Sequence, residues 1–507
     1  MELIARLERY ATEYSSTIAF KNVYTEESIT YFELKLLSDK IAKAILKYAL
    51  PKQNPILVYG HKSTLMIASF IACVKAGHPY CPIDISMPTE RIKDIIEISD
   101  SKLLINIDDS TIKCENILTA DEIRSLPKER KLECVTSITN DDVFYIIFTS
   151  GSTGKPKGVQ ITANCLDNYL RWMESIAKRE NFPAHPVFLN QAPFSFDLSV
   201  MDMYTALWIG GTIWSLDKRV QEDMRLMYEK FADSSLNVWV STPSFINMCL
   251  MNNAFNDNLL PTINTFLFCG EVLSNNTVRE LYKRFPDAKV INTYGPTEST
   301  VAVTDVVIIE EMVNSNLTLP VGYTKPGSEI YIMDNTYSYP GLAEGQKGEI
   351  IIAGNTVAKG YLNCLDLTNE KFFVINTPNG QLRAYKTGDI GWMKDGLLYY
   401  SGRMDFQLKI NGYRIELEDI ENNILKIDNI QACVVLPIEK NGTYKGLAAI
   451  ITVTNIIDDE FEYSQTLRKK LMDRIPYYMV PKKYVYVNTM PNTNNGKVDR
   501  NALKQLI

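Results

Sequence analysis

At residues 143–158 the chain reads Val143-Phe-Tyr-Ile-Ile-Phe-Thr-Ser-Gly-Ser-Thr-Gly-Lys-Pro-Lys-Gly158. The apolar run at its start predicts a fully buried strand. The loop after it combines three glycines, four hydroxyl side chains and two lysines. Apolar residues then recur at helical spacing, at Leu166, Tyr169, Leu170, Met173 and Ile176. A buried strand, a polar loop and an amphipathic helix together form the repeating unit of an α/β domain.

The same alternation continues on the C-terminal side of this unit. Further buried strands are predicted at Asn237–Val240, Thr265–Phe268, Lys289–Asn292 and Glu349–Ile352. Strands that alternate with helices indicate layered, mainly parallel sheets covered by helices. We therefore predict an α/β fold for a large N-terminal domain of residues 1–402.

The pattern changes near residue 403. A hairpin is predicted at Gln407–Glu416 around Asn411-Gly412, and a short helix at Glu418–Ile427. Two strands at Gln431–Val435 and Gly446–Val453 precede a helix at Ser464–Ile475, which should end before Pro476. These elements predict a small α+β domain of residues 403–507.

Composition excludes several functional classes. Over 507 residues the net charge is −7, which argues against a general nucleic-acid binder because that class needs an excess of Lys and Arg. The N-terminus lacks the apolar core of a signal peptide, and the longest apolar run, Leu65–Val74, is too short to span a bilayer. Nine cysteines without a CxxC pair indicate reduced thiols, and three histidines disfavour a His-rich metal site. We expect a cytoplasmic protein without membrane insertion.

The loop at Thr149–Gly158 has the chemistry of a phosphate site. Glycines allow close backbone approach, and amides, hydroxyls and ammonium groups can surround phosphate oxygens. It is not the GxxxxGK[ST] pattern, because Pro156 stands where Ser or Thr is needed. The alternative interpretation, a flexible polar surface loop, fits this density of phosphate-compatible groups less well.

Four more clusters follow along the chain, and each is weak alone. Asn292-Thr-Tyr-Gly-Pro-Thr-Glu298 offers an aromatic face and a carboxylate that could bind magnesium. Tyr385-Lys-Thr-Gly-Asp389 ends on a carboxylate that could bind ribose hydroxyls. Gly402-Arg403 starts the third cluster, and Asn495-Gly-Lys-Val-Asp-Arg500 carries a lysine on a turn. The alternative for Asn292–Glu298 is a turn with a packed tyrosine. The alternative for Asn495–Arg500 is a solvated surface turn.

In this order and spacing, the five clusters closely resemble the adenylate-forming family, which includes acyl-CoA synthetases, luciferase and the adenylation domains of peptide synthetases. The resemblance extends from Ala76-Gly-His-Pro-Tyr-Cys-Pro-Ile-Asp84 to Asp499-Arg500. It implies a large N-terminal domain with a small, mobile C-terminal lid. It also implies that ATP and Mg²⁺ are required and that a carboxylate is activated as an acyl-adenylate.

The resemblance also implies residue roles. Lys497 would bridge the reacting carboxylate and phosphate as the catalytic lysine, Glu298 would bind the metal, and Asp405 would be the hinge of the lid. The expected ATP-binding residues are Thr149, Ser150, Gly151, Ser152, Thr153, Gly154, Lys155, Asn292, Thr293, Tyr294, Gly295, Pro296, Thr297, Asp389, Tyr400, Ser401, Gly402, Arg403 and Lys497.

Two segments narrow the choice of carboxylate substrate. Asp197 lies between apolar residues in Phe194-Ser-Phe-Asp-Leu198. A buried carboxylate is costly to leave unpaired, so the ammonium of an amino acid is a natural partner. The alternative is an aspartate satisfied by backbone amides. Phe188–Asp202 and Phe266–Val272 resemble the branch of the family that loads D-alanine onto a carrier protein for teichoic acid modification.

In that branch, Cys269 and Val301 would flank the substrate α-carbon, and Asp197 and Lys497 would complete the substrate site. The alternative for Cys269 is a small core residue. The expected partners are D-alanine and a separate phosphopantetheinylated carrier protein, because no carrier domain follows in this sequence. Two other hypotheses stay open: a ligase for another small amino acid or short acyl group, and a catalytically silent nucleotide-binding regulator.

Overall fold

The computed structural model describes residues 1–127, 138–151, 154–315, 317–334, 336–378, 380–404, 407–410, 412–440, 443–491 and 500–507. The chain divides into two compact units. The larger unit contains residues 1–85, 99–147 and 158–404. The second contains residues 405–507 together with two shorter pieces, 86–98 and 148–157. The predicted boundary after residue 402 stays a prediction. Sequence pattern gave no sign that the two short pieces belong with the second unit.

The first sheet has nine strands. In spatial order they are Tyr323–Thr324, Thr304–Val307, Lys289–Tyr294, Thr265–Phe268, Val238–Ser241, Val187–Asn190, Thr212–Ser215, Ile18–Asn22 and Ser28–Thr30. The six strands from Lys289–Tyr294 to Ile18–Asn22 are parallel to each other. Their residues are almost all buried, which explains why they lack the alternation of a half-exposed strand.

The second sheet has seven strands. They are Gly360–Tyr361, Lys157–Thr162, Val143–Thr149, Tyr80–Ile83, Ile56–Tyr59, Leu103–Asn106 and Asn116–Thr119. The strand predicted from the apolar run at residue 143 is therefore present, with its first five residues buried. It pairs in parallel with Tyr80–Ile83, which in turn pairs in parallel with Ile56–Tyr59.

The third sheet differs from the predicted parallel arrangement. Its five strands, Ser328–Met333, Gly348–Gly354, Gly380–Lys394, Phe372–Thr377 and Leu397–Arg403, are all antiparallel. Gly348–Gly354 contains the apolar run predicted at residue 349, and five of its seven residues are buried. Burial made it resemble a parallel strand, because an apolar run reports that both faces are covered and not the direction of its neighbours.

Helices cover the sheets of the larger unit. They are Glu2–Glu13, Tyr31–Leu46, Thr64–Lys75, Thr89–Ser99, Ala120–Ser125, Ala163–Arg179, Leu198–Ile209, Lys218–Gln221, Met224–Ala232, Pro243–Leu250, Asn275–Arg284, Glu310–Asn314 and Leu365–Lys371; most of Thr89–Ser99 is assigned to the second unit. Every residue of Thr64–Lys75 is buried, so the long apolar run is a core helix. No helix in the described part of the chain is long and apolar enough to cross a bilayer.

The second unit is α+β. Its hairpin joins Gln407–Ile410 to Tyr413–Glu416, and the helix Leu417–Leu425 follows. Ile430–Lys440 and Thr443–Val453 are antiparallel, and Lys483–Tyr486 adds a parallel third strand that the sequence did not reveal. The remaining helices are Glu460–Met472 and Arg500–Lys504. The helix predicted at Ser464–Ile475 begins earlier, because Asp459 caps it through the amides of Phe461 and Glu462.

Candidate active site

Three predicted ATP-binding side chains meet in the larger unit. The Tyr294 hydroxyl donates to Asp389 Oδ2 at 2.6 Å, and Arg403 donates to Asp389 Oδ1 at 2.6 Å. We call Tyr294, Asp389 and Arg403 the carboxylate cluster. The antiparallel register explains part of it, because Asp389 and Arg403 are direct cross-strand partners. Asp389 is buried, and the Arg403 side chain is only 10% exposed.

Neighbouring groups fix the orientation of the carboxylate. The Asp389 amide donates to Thr387 Oγ1 at 3.0 Å, and that hydroxyl donates to the Ile350 carbonyl at 2.7 Å. Burial, and then the Asp389 carboxylate, raise the pKa of Tyr294 well above its usual value, so the phenol keeps its proton and its donor role. The Tyr400 ring lies 6.2 Å from that of Tyr294.

The cluster has the chemistry of a nucleoside site. A carboxylate has about four lone-pair positions, so Asp389 can still accept hydrogen bonds from a diol. The rings of Tyr294 and Tyr400 supply flat apolar faces for a base. Next to them, Gly402 has a φ of +116° with open space around it, so the backbone conformation rather than crowding requires glycine there. The Ser401 hydroxyl accepts from exposed Lys347 at 3.0 Å.

The segment around Tyr294 is held through its polar side chains. Asn292 Nδ2 donates to the Pro320 carbonyl at 2.8 Å, and Thr293 Oγ1 donates to the Phe268 carbonyl at 2.8 Å. Both residues are buried. A Cβ atom on Gly295 would lie 2.6 Å from the Ala302 Cα, so this turn depends on a glycine. Pro296 then precedes the short 3₁₀ helix Thr297–Ser299.

Glu298 fits the predicted magnesium role in its chemistry. It is fully buried, and its Oε1 accepts from the Tyr361 hydroxyl at 2.8 Å. Within the described ranges no group of three or more His, Cys, Asp or Glu residues could hold a metal. Magnesium does not require one, because it takes one or two carboxylates together with substrate phosphates and water. Tyr361, which the motif analysis missed, orients this carboxylate.

Two of the four predicted amino-acid contacts touch each other. Cys269 Sγ lies 3.7 Å from the Val301 carbonyl oxygen, in hydrogen-bonding geometry, and both residues are buried. They come from different segments, one directly after the strand Thr265–Phe268 and one before Thr304–Val307. The structure therefore brings Cys269 and Val301 into contact, and we call this pair the Cys269–Val301 wall.

Asp197 stands immediately before the helix Leu198–Ile209. It is half-buried rather than fully buried, because it belongs to the loop that enters this otherwise covered helix. Its charge contributes to a raised pKa at two buried phenols, Tyr145 and Tyr169, after the larger effect of burial. Cys269 also contributes at Tyr169. Asp197 and Cys269 therefore both raise the pKa of the same phenol, Tyr169.

A buried lysine, which the sequence did not single out, bonds the chain segment that precedes Asp197. Lys62 Nζ donates to the carbonyls of Asn190, Gln191 and Leu216 at 2.7, 2.8 and 3.1 Å. Asn190 Nδ2 in turn donates to Asp202 Oδ1 at 2.7 Å. Burial, opposed by nearby carboxylates, lowers the pKa of Lys62 to about 7. The only sequence signal was a lysine just past a buried strand.

The glycine-rich loop belongs to the second unit. Ser150 Oγ donates to the Arg414 carbonyl at 3.0 Å and accepts from the Glu416 amide at 3.3 Å. The Gly154 amide donates to the Gly151 carbonyl at 3.0 Å, which closes a tight turn. A Cβ atom on Gly151 would lie 2.2 Å from the Lys155 carbonyl oxygen, so only glycine fits there.

Of the loop's two lysines, Lys155 is the more exposed. The Lys155 side chain is 56% exposed, and its Nζ lies 3.9 Å from Glu97 Oε1. Thr149 Oγ1 is buried without a hydrogen-bond partner among the described atoms. A hydroxyl and an ammonium group on a glycine-rich turn are groups that can bind phosphate oxygens. Ser152 and Thr153, predicted at the same turn, lie outside the described residues.

The catalytic lysine and the hinge also lie outside the described residues. Lys497 falls within residues 492–499, and Asp405 falls within 405–406. Arg500, which follows the lysine motif, is described: it donates to both carboxylate oxygens of Glu421 at 2.8 and 3.0 Å and to the Val435 carbonyl. Arg500 therefore anchors the start of the helix Arg500–Lys504 to the helix Leu417–Leu425 and the strand Ile430–Lys440 of the same unit.

Two protein-family models match this chain. Residues 7–362 match the family model of the AMP-binding enzyme, and residues 419–497 match that of the AMP-binding enzyme C-terminal domain. A D-alanine–D-alanyl carrier protein ligase of Bacillus cytotoxicus is 43% identical over 99% of both chains. A ligase of the same name from Bacillus cereus is also 43% identical over 99% of both chains.

Solved structures show the same architecture. A nonribosomal peptide synthetase protein with adenylation and PCP domains, bound to a vinylsulfonamide inhibitor, superposes with a TM-score of 0.83 at 25% identity. The similarity covers 100% of this chain and 84% of that one. An adenylation domain from Vibrio cholerae, solved with glycyl-adenosine-5′-phosphate, has the same fold at a TM-score of 0.81 and 21% identity, covering 100% of this chain and 96% of that one.

Proposed function

This chain belongs to the AMP-binding enzyme family, and from that premise we propose that it activates D-alanine with ATP and transfers the D-alanyl group to the thiol of a separate carrier protein. The observation that carries the proposal is 43% identity to D-alanine–D-alanyl carrier protein ligases over 99% of both chains. The carboxylate cluster and the Cys269–Val301 wall support it, because their chemistry suits a nucleoside and a small amino acid.

The reaction has two half-reactions. The D-alanine carboxylate attacks the α-phosphorus of ATP and releases pyrophosphate, which leaves D-alanyl-AMP. The carrier's phosphopantetheine thiol then attacks the acyl carbonyl, loses its proton, and releases AMP with formation of a thioester. The first step brings two anions together, the carboxylate and the triphosphate, so the protein must supply cations and oriented donors.

The residues divide this work by their chemistry. Asp389 accepts the ribose hydroxyls while Arg403 holds its carboxylate in place, and Tyr294 and Tyr400 face the adenine. The amides and hydroxyls of Thr149–Gly154 and the Lys155 ammonium bind the terminal phosphates. Mg²⁺, held at Glu298, would offset phosphate charge. Lys497 neutralises the carboxylate and α-phosphate as they meet.

The amino acid is bound by opposite charge and by fit. The Asp197 carboxylate pairs with the substrate ammonium, which selects amino acids over simple acyl groups. Cys269 and Val301 contact the α-carbon and its methyl group. The use of ATP and nine cysteines without a CxxC pair support a cytoplasmic location for this activity, where the carrier thiol also stays reduced.

Pyrophosphate exchange tests the first half-reaction. We expect ATP–pyrophosphate exchange with D-alanine, weaker exchange with L-alanine and glycine, and none with acetate. Incubation with a phosphopantetheinylated carrier should then add one alanyl group, detected by intact-protein mass spectrometry. Equal or higher exchange with L-alanine would refute the substrate assignment. ATP binding without AMP formation from any carboxylate would instead identify a nucleotide-binding regulator.

A further inference from the structure

The backbone beside the Cys269–Val301 wall is strained. Thr300 and Val301 are consecutive β-branched residues with φ values of +63° and +68°. Both residues are buried. A β-branched side chain rarely adopts this left-handed region, because its branched Cβ crowds the backbone. Such a conformation persists only where the surrounding structure holds it, and it is found most often at functional sites.

A small set of hydrogen bonds holds this turn. Thr300 Oγ1 donates to the Thr356 carbonyl at 2.8 Å, in a site where both residues are fully buried. Within the turn, the Ala302 amide donates to the Thr300 carbonyl at 2.8 Å. The Val303 amide then donates to the Tyr294 carbonyl at 2.8 Å, which returns the chain to the sheet. The hydrogen bond of the Thr300 hydroxyl connects the strained residue to the segment that contains Thr356.

The turn determines where the Val301 carbonyl lies. That carbonyl oxygen is the acceptor for Cys269 Sγ at 3.7 Å. Gly295 also approaches this carbonyl closely, because an added Cβ atom would lie 3.0 Å from the same oxygen. A change of φ at residue 300 would therefore move Val301 relative to Cys269. Enantiomer selection in a small pocket depends on steric conflict around one methyl group, so it is sensitive to such a shift.

We propose that Thr300 is a positioning residue for enantiomer selection: its hydroxyl bond to the Thr356 carbonyl holds the strained turn that keeps Val301 against Cys269. The inference rests on the proposed function for its substrate, D-alanine. It goes beyond that function, because it assigns selectivity to a residue outside the proposed substrate and nucleotide contacts. The strain is stored where the amino-acid contact is formed.

Two substitutions separate the hydroxyl from the strain. Thr300→Val keeps the shape and removes the hydrogen bond, whereas Thr300→Gly removes the bond and also relieves the strained φ. Thr304→Val is the matched control: Thr304 Oγ1 donates to the Val321 carbonyl at 2.5 Å, the residue is fully buried, and its backbone is regular strand.

The first experiment measures the ratio of pyrophosphate-exchange rates with D- and L-alanine. It also measures the midpoint of thermal unfolding of each variant. We expect the ratio to fall by about tenfold in both Thr300 variants and to stay unchanged in Thr304→Val. Thr300→Gly should keep or raise the thermal midpoint while losing selectivity. If selectivity instead follows the thermal midpoint across the three variants, Thr300 has only a structural role and the proposal fails.

The second measurement does not depend on D-alanine activation. Iodoacetamide labelling of Cys269, followed by peptide mass spectrometry, should be faster in both Thr300 variants than in wild type and in Thr304→Val. Unchanged labelling would overturn the positioning role even if D-alanine is the substrate. Faster labelling in a protein that does not activate D-alanine would refute the proposed function and retain the positioning role.

Discussion

The carboxylate cluster and the glycine-rich loop are both predicted to bind ATP, but they are built differently. In the cluster, Tyr294 and Arg403 already bond the two oxygens of Asp389, and the groups are almost covered. In the loop, main-chain turns provide the shape and the Lys155 side chain is more than half exposed. A site for a neutral diol can be completed within the protein. A site for phosphate must keep its cationic groups available, because the ligand brings the opposite charge.

The difference predicts where substitutions act. Changes to exposed or loop cations should reduce catalysis and leave the fold intact. Changes to the cluster should reduce nucleotide binding and stability together. Changes to the amino-acid wall should alter selectivity more than rate.

The largest effect is expected at Lys497, which extends the loop's principle to a single catalytic cation. Lys497→Ala should nearly abolish exchange, because it removes the charge that offsets two approaching anions. ATP affinity, measured by calorimetry, should change little. Lys504→Ala, a nearby lysine in the last helix, is the control. Wild-type exchange in Lys497→Ala would remove this lysine from the mechanism.

Asp197 comes next, because it carries the only charge that we assign to the amino-acid site besides Lys497. Losing one partner of a desolvated ion pair costs about 2–5 kcal/mol, so Asp197→Asn should weaken D-alanine use by about 30-fold to several thousand-fold. The KM for ATP should stay near wild type, and the circular dichroism spectrum should be unchanged. Unaltered D-alanine kinetics would show that the ammonium binds elsewhere.

A paired experiment compares the two ATP regions directly. Asp389→Asn removes the carboxylate that Arg403 and Tyr294 bond, which should lower the free energy of unfolding by about 3 kcal/mol and weaken ATP binding. Lys155→Ala should slow exchange and leave stability within about 0.5 kcal/mol of wild type, because the side chain is exposed. Urea unfolding and calorimetric ATP titration measure both. Equal stability losses would erase the contrast between the regions.

Cys269 tests the wall that belongs to neither ATP region. Removing its sulfur should admit the wrong methyl position, so Cys269→Ala should narrow the D/L exchange ratio by about tenfold, chiefly through faster L-alanine use. Cys249→Ala, another buried cysteine outside the wall, should retain the ratio. An unchanged ratio in Cys269→Ala would leave this cysteine with a packing role only.

The smallest effect is expected at the predicted hinge. Proline fixes φ, and a hinge works by changing it, so Asp405→Pro should slow thioester formation on the carrier by several-fold and leave exchange largely intact. Both half-reactions are measured on one preparation. The alternative is that Asp405 caps a turn or helix, and equal loss in both half-reactions would favour that role over a hinge.

The sequence alone determined the α/β class, the change of pattern near residue 403, the buried strand before the glycine-rich loop and the order of the motifs. These are local properties: periodicity reports burial, and turn residues report backbone shape. Family membership followed from the same motifs, because their order and spacing are written in the chain.

Only the tertiary structure decided which groups meet. Tyr294 and Asp389 are 95 residues apart, and Thr300 bonds the carbonyl of a residue 56 positions away. Strand direction in the third sheet, the strained φ at Thr300 and Val301, and the half-burial of Asp197 were likewise hidden from local pattern. Each depends on register and on packing between distant segments, and periodicity along one segment carries no information about either.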